Sequence, residues 1–366
     1  MKKLIALLLV LVLIIGLVAC GETAPEDVEV PVSESKADEN DKLSEVPTPE
    51  NAVEDLSDSK IALYGLAPHP FFDAVKKGVD RWSEENNCDV LYQLGNAWTQ
   101  DSMDTGVLAL AAMGYEGIGC YPADASATNA LYADLVSEGI DVANYACSTN
   151  EPTDASICFM TPMTQSAADA LEWLINAIGG KGNIIVVIER VDDPNNILRL
   201  EGVDATLAKY PEITVLQQVW GMSTEAEAIA AIEPVFSSYA GQIDGIIALG
   251  GTASLGMQTV IAEYQESSGN DVVSIGIDDD EVTLKNIREG VLDATYAQNP
   301  AGMGYLTCQA LAMMQDGWVP AEGVYTVSSG SVIVTKENID TYAEELQAVT
   351  NQISEELYTT YMVKED

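Results

Sequence analysis

Short apolar stretches alternate with longer amphipathic segments from Ile61 onward. Brief apolar runs bounded by turn residues predict buried strands, whereas apolar residues spaced three and four apart predict helices. The predicted strands are 61–66, 89–93, 117–121, 141–146, 157–160, 183–188, 214–219, 245–249, 272–277 and 294–297. The predicted helices are 71–82, 101–113, 125–137, 165–178, 197–210, 224–237, 252–266, 281–289, 301–315 and 336–363. This alternation is typical of βαβ units on a parallel sheet.

So many strands exceed what one open sheet holds comfortably. The pattern therefore predicts an α/β fold with two doubly wound parallel-sheet lobes joined by a multi-strand hinge. The first break falls in 148–156, where Asn, Pro, Thr and Asp cluster, and further crossings are expected near 298–300 and 325–331. The helix over 336–363 is expected to pack on one lobe. The N-terminal lobe is predicted to comprise 60–150 and 299–324, and the C-terminal lobe 151–298 and 325–366.

A basic segment at 1–3 precedes an apolar run at 4–19 that is short for a bilayer span. The run ends in Leu-Val-Ala followed by Cys20, which resembles the lipobox of bacterial lipoproteins. That resemblance implies a signal peptide over 1–19, acylation of Cys20 and an extracytoplasmic body held to the cell membrane by a lipid anchor. The alternative is an uncleaved anchor, or a signal peptide in which the cysteine is incidental.

The composition changes over residues 20–59, which are rich in Asp, Glu, Pro and Ser and contain no aromatic residue. Such a segment cannot bury enough apolar surface to offset the conformational entropy lost on folding. We expect an acidic disordered tether between the acylated cysteine and the folded body.

The charge balance excludes several classes of partner. The chain has 16 Lys and Arg against 58 Asp and Glu, a formal net charge of −42. It therefore offers no basic surface for nucleic acid or for anionic lipid. With a single histidine, His69, it cannot build a zinc site of several imidazoles, and any Ser-His-Asp mechanism would depend on that one ring.

The carboxyl ends of the strands in two such lobes face a shared cleft, so residues that follow strands are the candidate ligand contacts. Aromatic rings can cover the C–H face of a sugar, while carboxylate, guanidinium and amide groups can bind hydroxyls. The simpler interpretation of Phe71 and Phe72 is that they begin a core-facing helix. The candidate ligand-binding residues are His69, Phe71, Phe72, Tyr121, Asp124, Asn144, Tyr145, Arg199, Trp220, Gly250, Asp278 and Gln298.

Four motifs carry a resemblance to a known family. They are His-Pro-Phe-Phe at 69–72, Arg-Leu-Glu-Gly-Val at 199–203, Gly-Ile-Asp at 276–278 and Ala-Gln-Asn-Pro at 297–300. In order and spacing, residues 60–335 resemble the type I periplasmic binding proteins for sugars, the ribose-binding-like receptors of ABC transporters. The resemblance implies that Phe71, Phe72 and Trp220 stack on a sugar ring and that Arg199, Asp278 and Gln298 bind its hydroxyls.

The same resemblance implies a monomeric, non-enzymatic receptor that closes on a sugar or polyol and is recognised by ABC permease subunits, with no cofactor. Two of the family's hydroxyl-binding pairs are absent here. Gly250-Gly251 stands where the family has Asn-Asp, and Ala146-Cys147 stands where it has Asp-Arg. The ligand could therefore carry fewer hydroxyls than ribose, be larger, or be bound by Asn144 and Tyr145 instead.

Other functions are less consistent with these residues. One alternative is a ligand-sensing protein whose closed form is recognised by a membrane kinase or chemoreceptor, and its folded body would have the same sequence features. An enzyme would need His69 or Asp278 as a base with a partner nucleophile, which the sequence does not offer. The acidic run that starts at Asp278 lacks the alternating ligands of a calcium loop, so no metal site is predicted. The sequence leaves two alternatives for the cysteines. Cys147 could form a disulfide with Cys120 or with Cys158, or the cysteines could be buried as reduced thiols.

Overall fold

The computed structural model describes residues 55–190 and 193–365 of the chain. The predicted signal peptide, Cys20 and most of the predicted tether lie outside the described residues. The predicted end of the tether at residue 59 needs correction, because Leu56 is only 7% exposed and belongs to the core of the N-terminal lobe. Within the described ranges, no helix is long and apolar enough to cross a bilayer.

Each strand and each helix predicted from the sequence has an observed counterpart. The strands are β1 (Ile61–Gly65), β2 (Leu91–Leu94), β3 (Gly117–Cys120), β4 (Asp141–Tyr145), β5 (Ile157–Met160), β6 (Gly182–Ile188), β7 (Ile213–Val219), β8 (Gly245–Leu249), β9 (Val273–Ile277), β10 (Ala294–Gln298), β11 (Trp318–Pro320), β12 (Thr326–Ser328), β13 (Ser331–Thr335) and β14 (Met362–Lys364). The helices are α1 (Pro70–Asn86), α2 (Gln100–Ala112), α3 (Thr128–Ser137), α4 (Met163–Ala177), α5 (Pro194–Leu207), α6 (Glu225–Ser238), α7 (Gly251–Ser268), α8 (Glu281–Glu289), α9 (Pro300–Gln315) and α10 (Tyr342–Glu356), followed by a π-helical turn at Leu357–Tyr361.

The N-terminal lobe is built on a parallel sheet in the strand order β12-β5-β4-β3-β1-β2. Helix α9 returns from the other lobe to lie across this sheet and pack against α1. The two helices approach closely because glycines face the contact. A Cβ on Gly78 would lie 1.8 Å from the carbonyl oxygen of Ala301, and one on Gly304 would lie 2.4 Å from that of Val75.

The C-terminal lobe has a second sheet in the order β13-β10-β9-β8-β6-β7, in which only β13 runs antiparallel to its neighbour. Successive side chains of a strand point to opposite faces of its sheet. Accordingly, Ile185 and Val187 of β6 enter one core cluster, while Ile184 and Val186 enter the cluster on the other face. Burial on both faces explains why β6 reads as an uninterrupted apolar run.

The chain crosses between the two sheets at residues 161–162, at Asn299 and at residues 329–330. The second and third crossings lie within the predicted segments. The first does not, because β5 pairs with β4 and with β12 in the N-terminal sheet. The polar cluster at 148–156 is therefore a loop inside the N-terminal lobe, and β5 and β12 belong to that lobe.

The C-terminal segment also differs from the prediction of one long helix on one lobe. Leu346 of α10 packs in a core cluster of the C-terminal lobe, whereas Ile353 and Leu357 pack in the core of the N-terminal lobe. Strand β14 then pairs with β11 in an antiparallel ribbon. The C-terminal segment is thus a further physical link between the lobes.

Candidate functional site

Aromatic side chains gather at the carboxyl edge of the N-terminal sheet. His69 caps α1, since its Nδ1 accepts a hydrogen bond from the backbone N–H of Phe71 at 3.1 Å. Phe72 stacks on Trp98 with ring centroids 5.5 Å apart, and Phe72 and Trp98 each make a T-shaped contact with Tyr121. Trp98 is 52% exposed, whereas Phe72 is buried. The cluster therefore presents an aromatic wall whose most accessible face belongs to Trp98.

Trp98 was not among the sequence-predicted site residues. It lies in the loop after β2, at the same edge of the sheet as the loops after β1 and β3. The signal was present in the sequence, because an aromatic residue a few positions after a strand satisfies the rule that selected Phe71 and Tyr121.

Asn144 and Tyr145 serve the interior of the N-terminal lobe. Both are fully buried. The Asn144 side chain accepts from the Tyr132 hydroxyl at 2.5 Å and donates to the hydroxyls of Thr149 and Tyr325, each at 3.1 Å. The Tyr145 hydroxyl donates to the carbonyl oxygen of Tyr64 at 2.8 Å. With these polar groups already bonded, neither residue is available to replace the missing hydroxyl-binding pairs.

Asp124 also has a local role. Its Oδ1 accepts hydrogen bonds from the backbone N–H groups of Ala127 at 2.7 Å and Ser126 at 2.9 Å, and these bonds lower the pKa of Asp124. The side chain is exposed and stabilises the turn that leads into α3. We therefore remove Asp124 from the candidate ligand contacts.

Three predicted residues converge at the carboxyl edge of the C-terminal sheet. Gln298, at the end of β10, donates through Nε2 to Oδ1 of Asp278, at the end of β9, at 2.6 Å. Arg199, in α5, donates through Nη1 to Asn196 at 3.0 Å, while its Nε is buried without a hydrogen-bond partner among the described residues. Burial raises the pKa of Asp278, against the lowering effects of Gln298 and of the Arg199 charge.

Glu189 is a further carboxylate that the sequence analysis missed. It follows β6 directly, and its Oε1 accepts from the backbone N–H groups of Thr252 at 2.8 Å and Ala253 at 3.2 Å, in the first turn of α7. A carboxylate is favourable there because the N-terminus of a helix carries partial positive charge.

The two glycines that replace the family's Asn-Asp pair make room for carboxylates. A Cβ on Gly250 would lie 2.4 Å from the carboxyl carbon of Glu189, and one on Gly251 would lie 2.8 Å from Oδ2 of Asp278. Gly250 therefore belongs to the site through its backbone and its lack of a side chain. The structure thus brings Glu189 and Asp278 to the N-terminus of α7, where larger residues at 250 and 251 would exclude them.

The N-terminal end of α5, the helix that carries Arg199, lies close to the aromatic residues of the N-terminal lobe. The carboxylate of Asp193, which caps α5 in the C-terminal lobe, is near enough to contribute to the raised pKa values of Tyr121 and Cys147 in the N-terminal lobe, although burial is the larger cause for both. Trp220 lies after β7 and is 42% exposed. Among the described residues its ring contacts no other aromatic ring, so it stands apart from the aromatic wall.

The described residues contain no group of three or more His, Cys, Asp and Glu side chains placed to hold a metal ion. The five cysteines from Cys88 onward are free thiols, and burial raises the pKa of Cys120 to about 12. Cys158 donates to the carbonyl oxygen of Cys147 at 3.4 Å. The thiols are therefore poor nucleophiles at neutral pH.

Residues 63–317 match the model of the periplasmic binding protein domain. The chain belongs to the periplasmic binding protein family. This membership confirms the resemblance drawn from the sequence motifs, and it confirms the prediction of a non-enzymatic binding protein. The matched region includes both walls of the cleft.

Curated relatives cover most of the chain. It is 27% identical over 296 residues to the xylitol-binding protein of Mycolicibacterium smegmatis, covering 79% of this chain and 80% of that protein. It is 24% identical over 293 residues to the xylose/arabinose-binding protein of Sulfolobus acidocaldarius, covering 76% of this chain and 71% of that protein.

Solved structures share the fold. An arabinose-binding protein from Geobacillus stearothermophilus superposes with a TM-score of 0.69 at 23% identity, over 77% of this chain and 98% of that one. A periplasmic ribose ABC transporter protein from Conexibacter woesei superposes with a TM-score of 0.71 at 16% identity, over 80% of this chain and 98% of that one. The predicted type I periplasmic-binding-protein fold is confirmed.

Proposed function

We propose that the protein is an extracytoplasmic solute receptor of an ABC transporter that binds a sugar or polyol between its lobes. The observation that carries this proposal is the pairing of two unlike walls. One wall is aromatic and is led by Trp98, and the other carries Arg199 with the bonded pair Asp278 and Gln298. A sugar or polyol has both surfaces that such a cleft needs, C–H groups for the rings and hydroxyls for the polar groups.

Each polar group has bonding capacity that a ligand could use. The buried Arg199 Nε has a proton without an acceptor, and the carboxylate of Asp278 can accept more hydrogen bonds than the one from Gln298. His69 uses its Nδ1 for the cap of α1, which leaves the Nε2 side of the ring for a hydroxyl. The names of the relatives, which bind xylitol, xylose or arabinose, support pentoses and pentitols as the first ligands to test.

We further propose that ligand binding closes the hinge and that the closed form is what the permease subunits recognise. A ligand that contacts both lobes favours the arrangement in which both contacts exist. The three crossings between the sheets and the bridging helix α10 are where such a movement would bend. Neighbours in the family are described as solute-binding proteins of ABC transporters, which favours transport over sensing.

The membrane anchor rests on the sequence alone. We propose that Cys20 is acylated and that the body acts outside the cytoplasm, as a monomer. In cells expressing the full chain, Cys20→Ser should move the protein from the membrane fraction to the soluble extracytoplasmic fraction and abolish labelling by a palmitate analogue. Retention of label in Cys20→Ser would contradict the anchor.

A thermal shift screen of the purified protein tests the ligand class. Pentoses, pentitols, hexoses, myo-inositol and nucleosides should be compared, and we expect a pentose or pentitol to raise the melting temperature most, because a ligand that binds only the folded state stabilises it. Trp98→Ala should weaken the affinity for that ligand roughly tenfold through loss of ring contact. Met113→Ala, at a position 65% exposed on the end of α2, is the matched control. A screen in which no compound raises the melting temperature would contradict the proposal.

A further inference from the structure

A second cavity lies at the hinge and borders the ligand cleft at Gln298. Its volume is about 330 Å³, at the lower end of the range of small-molecule sites. Its walls come from α1, from the start of α9, from α10 and from Asp279. Arg199, Glu189, Trp98 and Tyr121 do not line it. The cavity therefore shares Gln298 with the proposed sugar site but none of these four residues.

The walls of this hinge cavity belong to both lobes. Lys77 and Arg81 stand on α1, which packs in the N-terminal lobe. On the other side, Tyr342 and Leu346 of α10 pack in the core of the C-terminal lobe. Movement at the hinge therefore changes the distance between the two walls of the cavity.

One wall carries positive charge. Lys77 makes no hydrogen bond or ion pair with any residue in the described part of the chain, although its neighbour Lys76 is paired with Asp80. Arg81 donates a 2.9 Å hydrogen bond to Asn351, forms an ion pair through Nε with Glu85 at 3.5 Å and lies 3.9 Å over the ring of Tyr305. Lys77 is therefore the cation on this wall whose charge is not balanced by an ion pair within the described residues.

The opposite wall offers acceptors. Asp279 accepts from the Tyr342 hydroxyl through Oδ2 at 3.0 Å, which leaves its other carboxylate oxygen without a partner among the described residues. Gln347 is exposed at the cavity and makes no hydrogen bond within the described residues. A cation on one wall and a carboxylate on the other, each with bonding capacity left over, fit the two ends of one small polar molecule.

We propose that the hinge cavity is a second ligand site, for a small acid that also carries hydroxyl or ammonium groups, such as a hydroxy acid or an amino acid. Its carboxylate pairs with Lys77. Its hydrogen-bond donors reach Asp279 and Gln347. A neutral sugar would leave Lys77 without its counter-charge, so the two sites select different chemistry.

The two sites share one dipeptide and one side chain. Asp278 has a left-handed backbone with φ of 73°, and it is bonded to Gln298 at the cleft, while the next residue, Asp279, lines the hinge cavity. Gln298 lines the cavity as well. Because the cavity spans both lobes, an acid bound there favours one hinge arrangement, and linkage then requires it to change the affinity of the cleft for its ligand.

Isothermal titration of the purified protein with L-serine and D-glycerate tests this site, with L-serinamide and propionate as probes that lack the acid or the donors. We expect serine or glycerate to bind while serinamide and propionate bind at least about tenfold more weakly. Lys77→Met keeps the aliphatic stem and removes the charge, so it should weaken binding at least about tenfold. Lys76→Met, one position along the same helix, should bind as the parent does.

A cleft variant separates this proposal from the proposed sugar site. Arg199→Met should leave the binding of serine or glycerate unchanged. The second site would be contradicted if neither acid bound, if Lys77→Met bound the acids as tightly as the parent, or if Arg199→Met alone abolished their binding, because that would place them in the cleft. None of these results would by itself remove the sugar site.

Discussion

Arg199 is the most informative single residue in the cleft. Its Nη1 is committed to Asn196, but its buried Nε has no acceptor in the described structure. A hydrogen bond from a charged donor contributes about 1.5 to 3 kcal/mol. Arg199→Met should therefore weaken affinity for the sugar or polyol by roughly ten- to a hundredfold, measured by isothermal titration.

Arg288→Met is a matched control for that change. Arg288 is exposed and forms a 3.3 Å surface ion pair with Asp340, so its loss should leave affinity unchanged. Equal affinities of the parent and Arg199→Met would show that the guanidinium does not contact the ligand.

The carboxylate of Asp278 is expected to strengthen ligand binding but to lower the stability of the folded protein at neutral pH. Burial raises its pKa above the usual 3.8. Below pH 3.8 the Asp278 carboxyl is protonated in both the folded and the unfolded chain. As the pH rises from there through the raised pKa, the folded protein must ionise a buried group, so the free energy of unfolding falls. Asp278→Asn should thus melt higher than the parent at pH 7 and lose that advantage toward pH 3.8, while binding the ligand more weakly.

Asp204→Asn, at an exposed position on α5, is the control, and at pH 7 its melting temperature should match that of the parent. If Asp278→Asn melted lower than the parent at pH 7, burial would not be the dominant influence on this carboxyl.

How far the sequence predicts the site depends on where a residue stands relative to its strand. Asp278 is selected by the sequence because it lies just beyond a strand end, and the structure brings it together with Gln298. Asn144 and Tyr145 lie within β4, and a strand end read one or two residues late makes core residues look like cleft residues. Glu189 directly follows β6 and so satisfies the same strand-end rule, but its bonds to the first turn of α7 and the glycines that admit it are visible only in the three-dimensional structure.

At the scale of elements, Asn299 ties the second crossing to its neighbours. Its side chain accepts from the Gly302 N–H at 2.8 Å and donates to the Ser329 carbonyl at 2.8 Å and to the Thr350 hydroxyl at 2.9 Å. It thus caps α9, holds the third crossing and fixes α10. Because Asn299 is 2% exposed, water cannot replace these bonds without rearrangement.

Asn299→Ala should reduce the free energy of unfolding in urea by roughly 3 kcal/mol, from a lost cap and unsatisfied buried partners. Thr224→Ala is the comparison, because Thr224 caps α6 through one 3.3 Å bond to the Glu227 N–H. It should cost only about 1 kcal/mol. Equal costs would mean that the bonds of Asn299 across the hinge add nothing beyond the cap.

The elements themselves were predictable because each strand is short, apolar and flanked by turns, and each helix has its own periodicity. The membership of β5 was not predictable. Its sequence is compatible with either sheet, and only its pairing with β4 and β12 decides. Likewise, the periodicity of α10 predicts a helix but not that Leu346 and Ile353 pack in different lobes.

At the scale of the whole molecule, two lobes meet at a cleft with an aromatic wall and a charged wall, and the same hinge holds a second cavity of different chemistry. The lobes are joined by the three crossings and by the C-terminal segment. A small ligand that contacts both walls can therefore shift the relative position of the lobes. A membrane partner could recognise the protein by this conformational change. No bond in the ligand has to be broken for that recognition.

A crystal structure with the best ligand from the screen tests the central claim most directly. We expect ligand density between Trp98 and Tyr121 on one side and Arg199, Asp278 and Gln298 on the other, with a ligand hydroxyl accepting from the Arg199 Nε. Density confined to another surface, or a cleft filled by the protein's own side chains while the ligand is bound elsewhere, would contradict the account.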